Sequence, residues 1–188
     1  MMKEADLMKK SSPWGTIDHV QKLASGMFQV STPSHGGIKL SPSRNSEMPE
    51  GARRKGGWYE EDCEWALVVL QFPEEFEAEI RESAARTAKE YDPEGYTAIT
   101  GKEVALEESW SLRQRDFAER SKDLLVVTSA CGAGSAGFPV VIPEGKVGVY
   151  ARRGGDRTGP EQCFLVEESR YKTRSEFGYV IQPDDMTV

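Results

Sequence analysis

The chain of 188 residues carries 24 Lys and Arg against 31 Asp and Glu, a formal charge of −7, with 38% hydrophobic and 29% charged residues. That balance excludes a collagen, a coiled coil, a disordered tail and a histone-like nucleic-acid binder. What remains is a soluble mixed domain, large enough to bury a core without disulfides or metal.

Residues 1–12 are polar, open on charged residues and run into Ser11-Ser12-Pro13, which predicts a flexible arm ahead of Trp14 and a single α+β domain over 13–188. Residues 17–40 read as a small antiparallel meander. Strands are predicted over 17–23, 27–32 and 38–40, parted by Ala24-Ser25-Gly26 and by Pro33-Ser34-His35-Gly36-Gly37. Residues 41–57 mix Pro, Gly, Ser, Asn and Arg with no period, which marks a long surface loop of the kind that carries function.

Glu60-Glu61-Asp62 ahead of Cys63-Glu64-Trp65-Ala66-Leu67-Val68-Val69-Leu70 predicts a helix from near Glu60, because acids in a first turn offset the positive end of the helix dipole. Val68 and Val69 are β-branched, so a buried strand over 65–70 is the rival reading. Pro73 ends this element and opens the next, in which Phe76, Ile80, Ala84, Ala88 and Tyr91 recur at helical spacing. Asp92-Pro93-Glu94-Gly95 stops that helix. Thr100-x-x-Glu103 reads as a capping box for a third helix running through Leu106, Trp110 and Phe117 to about Lys122, against a hairpin turning at Gly101-Lys102.

Residues 124–130 form a continuous β-prone run of the kind buried on both faces. Further strands are predicted over 140–142, 147–151, 163–166 and 177–181, separated by turn residues. Strands, then helices, then strands is an α+β order, with antiparallel sheets from the N- and C-terminal strands packed against two or three central helices.

No apolar run exceeds 66–70, far short of the roughly 20 residues of a bilayer-spanning helix, so no membrane partner is expected. Glu4 and Asp6 stand where a signal peptide needs an apolar core, and the host-cell cytoplasm is the expected setting. Cys63, Cys131 and Cys163 are odd in number and lack Cys-x-x-Cys spacing, so reduced thiols are expected. With His19 and His35 the only imidazoles, neither a metal nor a cofactor is expected.

Gly132-Ala133-Gly134-Ser135-Ala136-Gly137 follows the 124–130 run and spells a dinucleotide fingerprint. The extended Phe138-Pro139-Val140-Val141-Ile142-Pro143 after it lacks the helix N-terminus that a pyrophosphate requires, so the string reads as a flexible loop. Two contact classes remain. Arg53 and Arg54 beside Trp58 and Tyr59 have the composition of an interface anchor, and Arg152 with Arg153 forms a second basic loop. Nucleic acid binding through Arg53, Arg54, Arg152 and Arg153 requires both loops on one face. The enzyme alternative pairs His35 with the cluster from Glu60 to Cys63, using His35 and Glu61 as acid and base or as divalent-metal ligands, or Cys63 as nucleophile. The acids around Cys63 oppose the last, since they raise a thiol's pKa.

Pro13-Trp14-Gly15 with Asp18-His19-Val20, the run Ser31-Thr32-Pro33-Ser34-His35-Gly36-Gly37 with Leu40-Ser41, and Gly57-Trp58-Tyr59-Glu60-Glu61-Asp62-Cys63-Glu64-Trp65 resemble a family of uncharacterised domains from phages, plasmids and proteobacterial genomes. The resemblance covers about residues 13–76 and implies a mobile-element origin and a cytoplasmic setting, and it supplies no list of catalytic residues. The expected function is binding and inhibition of a host protein or ribonucleoprotein, for example a restriction or CRISPR system. A small hydrolase-type or metal-dependent enzyme built on His35, Glu61 and Cys63 is the alternative.

Overall fold

The structure is a computed structural model describing residues 3–188. Its contacts group the chain into two compact units, Met1–Leu112 and Arg113–Val188, where the sequence reading treats 13–188 as one domain. Each unit carries a four-stranded antiparallel sheet, so the architecture is α+β, as the order of elements predicts.

The first unit opens with helix α1 (Glu4–Leu7) and a short ladder of β1 (Ser11–Ser12) with β2 (Gly15–Thr16). The stretch expected as an arm thus carries short elements of its own. Leu7 is buried with Ile17, Phe28 and Val30, because one face of the following sheet is apolar and the arm is what covers it. The sheet runs β3 (His19–Ala24), β4 (Met27–Ser31), β5 (Gly36–Leu40) and β6 (Trp58–Glu60), in that spatial order. Gln29, Ile38 and Tyr59 form one row across three strands, and Met27 opposite Leu40 continues the same face toward the helices. Gly37 permits a close approach: a Cβ there would lie 2.2 Å from the Tyr59 carbonyl oxygen and 2.5 Å from the Trp14 ring.

The expected loop over 41–57 is corrected. It folds as helix α2 (Pro42–Ser46) and two single 3-10 turns, Glu50–Ala52 and Lys55–Gly57, with Met48 and Ala52 fully buried. Ser41 caps α2, its hydroxyl accepting the Arg44 amide at 3.3 Å, and Pro42 supplies the first helical position. The helix expected from Glu60 begins later, at Trp65. Residues 58–60 pair with β5, after which the Glu60 carboxylate accepts the Asp62 and Cys63 amides at 2.6 and 3.3 Å and closes a turn.

Helix α3 (Trp65–Gln71) buries Ala66, Leu67, Val68 and Val69 in succession, which settles the 65–70 run as a core helix. Helix α4 (Ala78–Tyr91) buries Ala84 and Ala88, but Ile80 and Tyr91 on the expected core stripe are 42% and 53% exposed. A helix absent from the sequence reading follows, α5 (Pro93–Thr100). Asp92 caps its start by accepting the Gly95 amide at 2.8 Å, and Gly101, with φ +70°, ends it. Helix α6 (Trp110–Ser121) starts later than predicted, because the buried Ser109 hydroxyl, not Thr100, accepts the Leu112 amide at 3.3 Å.

The second unit contains β7 (Leu125–Cys131), β8 (Lys146–Arg153), β9 (Gln162–Glu167), helix α7 (Glu168–Lys172) and β10 (Met186–Thr187), in the spatial order β10-β9-β8-β7. β7 is not buried on both faces: Ser129 and Ala130 are exposed. Residues 177–181 contribute two isolated bridges, Val126 with Val180 and Ser175 with Gly178, instead of a strand. The segment 140–142 is no strand either. Phe138 and Ile142 instead drop onto the sheet at Gly148, where an added Cβ would meet Ile142 at 2.7 Å and Phe138 at 3.0 Å. The glycines at 132, 134 and 137 lie in the connection between β7 and β8, and a Cβ on any of them would meet nothing within 4 Å. On the opposite face Val149, Ala151, Phe164, Val166 and Tyr179 form a second core. Asp185, buried, ties the last residues down by accepting from Tyr179 at 3.0 Å, the Gln182 amide at 2.8 Å and Arg170 at 2.9 Å.

Candidate functional site

Residues 31–37 and 60–63 are brought together through the sheet. Thr32 closes the turn, its hydroxyl donating to the His35 carbonyl at 2.9 Å, and the Glu61 amide donates to the Gly36 carbonyl at 3.1 Å. The Glu61 carboxylate lies over Gly36, 2.6 Å from where a Cβ would stand. The His35 side chain is exposed, and among the described residues its imidazole pairs with neither Glu61 nor Cys63. Cys63 faces Glu60, Sγ to Oε2 3.9 Å. Burial, then the charges of Glu60, Glu64 and Asp92, push its thiol pKa up against the opposing pull of Arg54. A thiol held protonated is a weak nucleophile at neutral pH. No three His, Cys, Asp or Glu side chains among the described residues are grouped to hold a metal ion.

The residues expected as partner anchors occupy other positions. Tyr59 is fully buried, donating to Asn45 Oδ1 at 2.8 Å and accepting the Arg54 amide at 3.2 Å. This corrects its assignment to a contact surface: it faces the helix side of the sheet because it lies in the Gln29–Ile38–Tyr59 row. Arg54 pairs with Glu64 at 2.5 Å and with Asp92, so its guanidinium serves the fold. Arg53 is exposed, yet its guanidinium donates to the Met48 and Ser46 carbonyls. Trp58 is half-buried, edge-on to Trp14 with centroids 5.8 Å apart, and Lys39 Nζ sits 4.5 Å over its ring. In the second unit Arg152 donates through Nη2 and Nε to one oxygen of Glu161, Oε2, at 2.8 and 3.2 Å, and Arg153 meets Asp123 at 3.3 Å. Each of these arginines except Arg53 already faces a carboxylate.

Among the cavities of the first unit, one of about 450 Å³ between the helix-side face of the sheet and the starts of α3 and α4 is the one with a largely apolar lining next to the sheet. Leu23, Ile38, Trp65, Val69, Phe76 and Ile80 make it apolar, Gln29 adds an amide, and Glu61, Glu75 and Glu77 stand at its walls. That volume falls in the range of roughly 300–1,000 Å³ typical of ligand sites. Glu75 is engaged by Arg44. Glu61 and Glu77 have no ion-pair partner among the described residues. Of these residues the sequence reading named Glu61 for a site. Phe76 and Ile80 fall on the helical stripe expected in the core, and the available signal is the flanking of Phe76 by Glu75 and Glu77, which gives that stripe a charged border.

Residues 7–122 match the model of a family described as a domain of unknown function (DUF7007). Searches of curated proteins and of solved structures found no match. The matched span contains every residue that lines the cavity.

Proposed function

We propose, since this chain belongs to the DUF7007 family and the cavity lies within the span that defines the membership, that the protein acts by binding another macromolecule. The observation that supports the reading is an apolar cavity whose edge residue, Ile80, is 42% exposed on the face of α4 that elsewhere packs into the core. A concave apolar surface bordered by a few polar groups is the default candidate for a binding site, and Ile80 extends its apolar lining to the outside. In the mobile-element setting implied by the resemblance, the partner is a host protein or ribonucleoprotein in the cytoplasm. The consequence of binding is inhibition, with restriction or CRISPR machinery as the class of target.

The contact surface is thereby moved from the loop at 42–58, whose Arg54 and Tyr59 are committed to the fold, to the cavity. The enzyme alternative on His35, Glu61 and Cys63 is less favoured, since the imidazole is exposed and the thiol is held protonated. Nucleic acid binding is disfavoured by the carboxylate partners of Arg54, Arg152 and Arg153.

The test is capture of partners from bacterial cells by the tagged protein, alongside an Ile80→Glu variant. A stoichiometric partner that is lost from the variant at unchanged melting temperature, and whose activity falls when the wild-type protein is added, is the expected result. Equal capture by both proteins would move the contact surface elsewhere, and an unaffected partner activity would remove inhibition from the reading.

A further inference from the structure

The cavity combines two kinds of surface that seldom serve one ligand. Its lining is apolar, with Trp65 and Phe76 among the residues that form it, while Glu61 and Glu77 border it without a cation among the described residues. An anionic ligand is repelled by that border. A wholly apolar ligand strips water from two carboxylates and returns nothing for it. A guanidinium on an aliphatic stem satisfies both demands, since its methylenes lie against apolar walls, its plane stacks on an aromatic face, and its N–H groups reach carboxylate oxygens. The volume of about 450 Å³ leaves space for apolar neighbours of that side chain. The chain's net charge of −7 adds long-range attraction for a basic partner.

We infer that this cavity receives an arginine flanked by apolar residues, carried on a peptide segment of a protein partner. The inference rests on the reading of the protein as a binder and names the chemistry of what it binds. Glu61 and Glu77 hold the guanidinium, and Trp65 with Phe76 contact the stem and the flanking side chains. Glu75 stays with Arg44.

The test titrates the intact, isotope-labelled protein at low salt with three peptides, acetyl-Leu-Arg-Leu-amide and its Gln and Glu counterparts, following amide and indole resonances. The expected result is that shifts gather at Ile38, Glu61, Trp65, Phe76 and Ile80, with the Arg peptide bound about ten-fold tighter than the Gln peptide and the Glu peptide weakest. Glu61→Gln combined with Glu77→Gln should bring the Arg and Gln peptides to equal affinity without weakening the Gln peptide. Both side chains are exposed and neither makes a capping bond, so the double variant keeps the fold. Equal affinity of all three peptides for the wild type, shifts centred elsewhere, or no shift at millimolar peptide would overturn the inference. The two readings fail separately: if the Ile80→Glu variant loses its cellular partner while the peptides are bound without preference, the binder stands and the arginine does not.

Discussion

The Asp92 carboxylate holds the Arg54 guanidinium with one oxygen while its other oxygen accepts the Gly95 amide at 2.8 Å. One side chain thus joins the segment before β6 to the cap of α5. Glu64 meets the same guanidinium from the start of α3.

Arg54→Ala should therefore lower the unfolding free energy by about 1–3 kcal/mol, the range for breaking a partly buried charged hydrogen bond. Asp92→Ala should cost about 1 kcal/mol more through loss of the helix cap. Arg53→Ala, which removes bonds to backbone carbonyls from an exposed side chain, should cost about 1 kcal/mol. Urea unfolding of the three single variants and of the Arg54/Asp92 double variant measures this, and additive single and double costs would dissolve the pairing.

Adjacent glycines in β5 should respond differently to alanine. At Gly37 the new methyl meets a strand carbonyl and the Trp14 ring, neither of which can yield without moving β6 or the packed arm. At Gly36 the closest atom is the end of the Glu61 side chain, which can swing away, and the next is the Val30 carbonyl oxygen at 3.0 Å. Gly37→Ala should cost at least the ~1–3 kcal/mol of an overpacked core, and Gly36→Ala distinctly less. Thermal unfolding of the two variants makes the comparison, and equal losses would contradict the close approach at Gly37.

Burial, then the hydrogen bond and charge of Asp185, push the Tyr179 hydroxyl up to about 12. The unfolded chain releases that proton near its ordinary pKa of about 10, while the folded chain keeps it. Between those values the folded state binds more protons, so stability falls as pH rises through the window. Tyr179→Phe should flatten the decline above about pH 10, read by urea unfolding at a series of pH values. An unchanged alkaline slope would mean that Tyr179 titrates alike in both states.

The Cys63 thiol, raised by burial and by Glu60, should be alkylated by iodoacetamide at neutral pH several-fold more slowly than an unperturbed cysteine. Glu60→Gln removes the largest of the neighbouring charges and should speed the reaction, provided the turn is retained by the amide oxygen. Mass spectrometry of the labelled peptide follows it. A rate independent of residue 60 would leave burial and the more distant Glu64 and Asp92 as the cause.

Ile142 and Val141 are neighbours with opposite surroundings, the first buried on the β8–β9 face and the second 88% exposed. Ile142→Ala should destabilise by about 2–5 kcal/mol or release the segment locally, and in either case it speeds thiol labelling of Cys131 and Cys163, which pack in the same cluster. Val141→Ala should leave both rates unchanged. Similar labelling of the two variants would show that residues 138–142 do not cover the thiols.

Elements with one local signal were legible in the sequence. The turns at 24–26 and 33–37 and the alternation between them give the β3–β5 meander, and the Ala84/Ala88 spacing gives α4. Elements whose residues serve two roles were not. Asp92-Pro93 stops one helix and starts another, and only the second role shows where the chain goes next. The acids at 60–64 look like a first helical turn, yet Glu60 spends its carboxylate on closing a loop after a strand, a choice made by pairing with β5 rather than by local propensity. The cavity draws on Leu23, Ile38, Glu61, Trp65 and Phe76, which lie on separate elements, so no window of sequence contains it. Glu61 entered the reading through its neighbour His35, whose backbone does lie beside it; the imidazole itself points to no partner among the described residues.

The connection between β7 and β8 offers a practical handle. Methyl groups added at Gly132, Gly134 or Gly137 would touch nothing, although Gly134 and Gly137 hold positive φ and are better left as glycine. Doubling the length of such a loop adds only about 0.6 kcal/mol of closure entropy. An epitope or dye-acceptor peptide inserted after Ser135 therefore sits in the second compact unit, and immobilising the protein by it leaves the residues around Trp65 and Ile80 chemically unmodified for a ligand to reach.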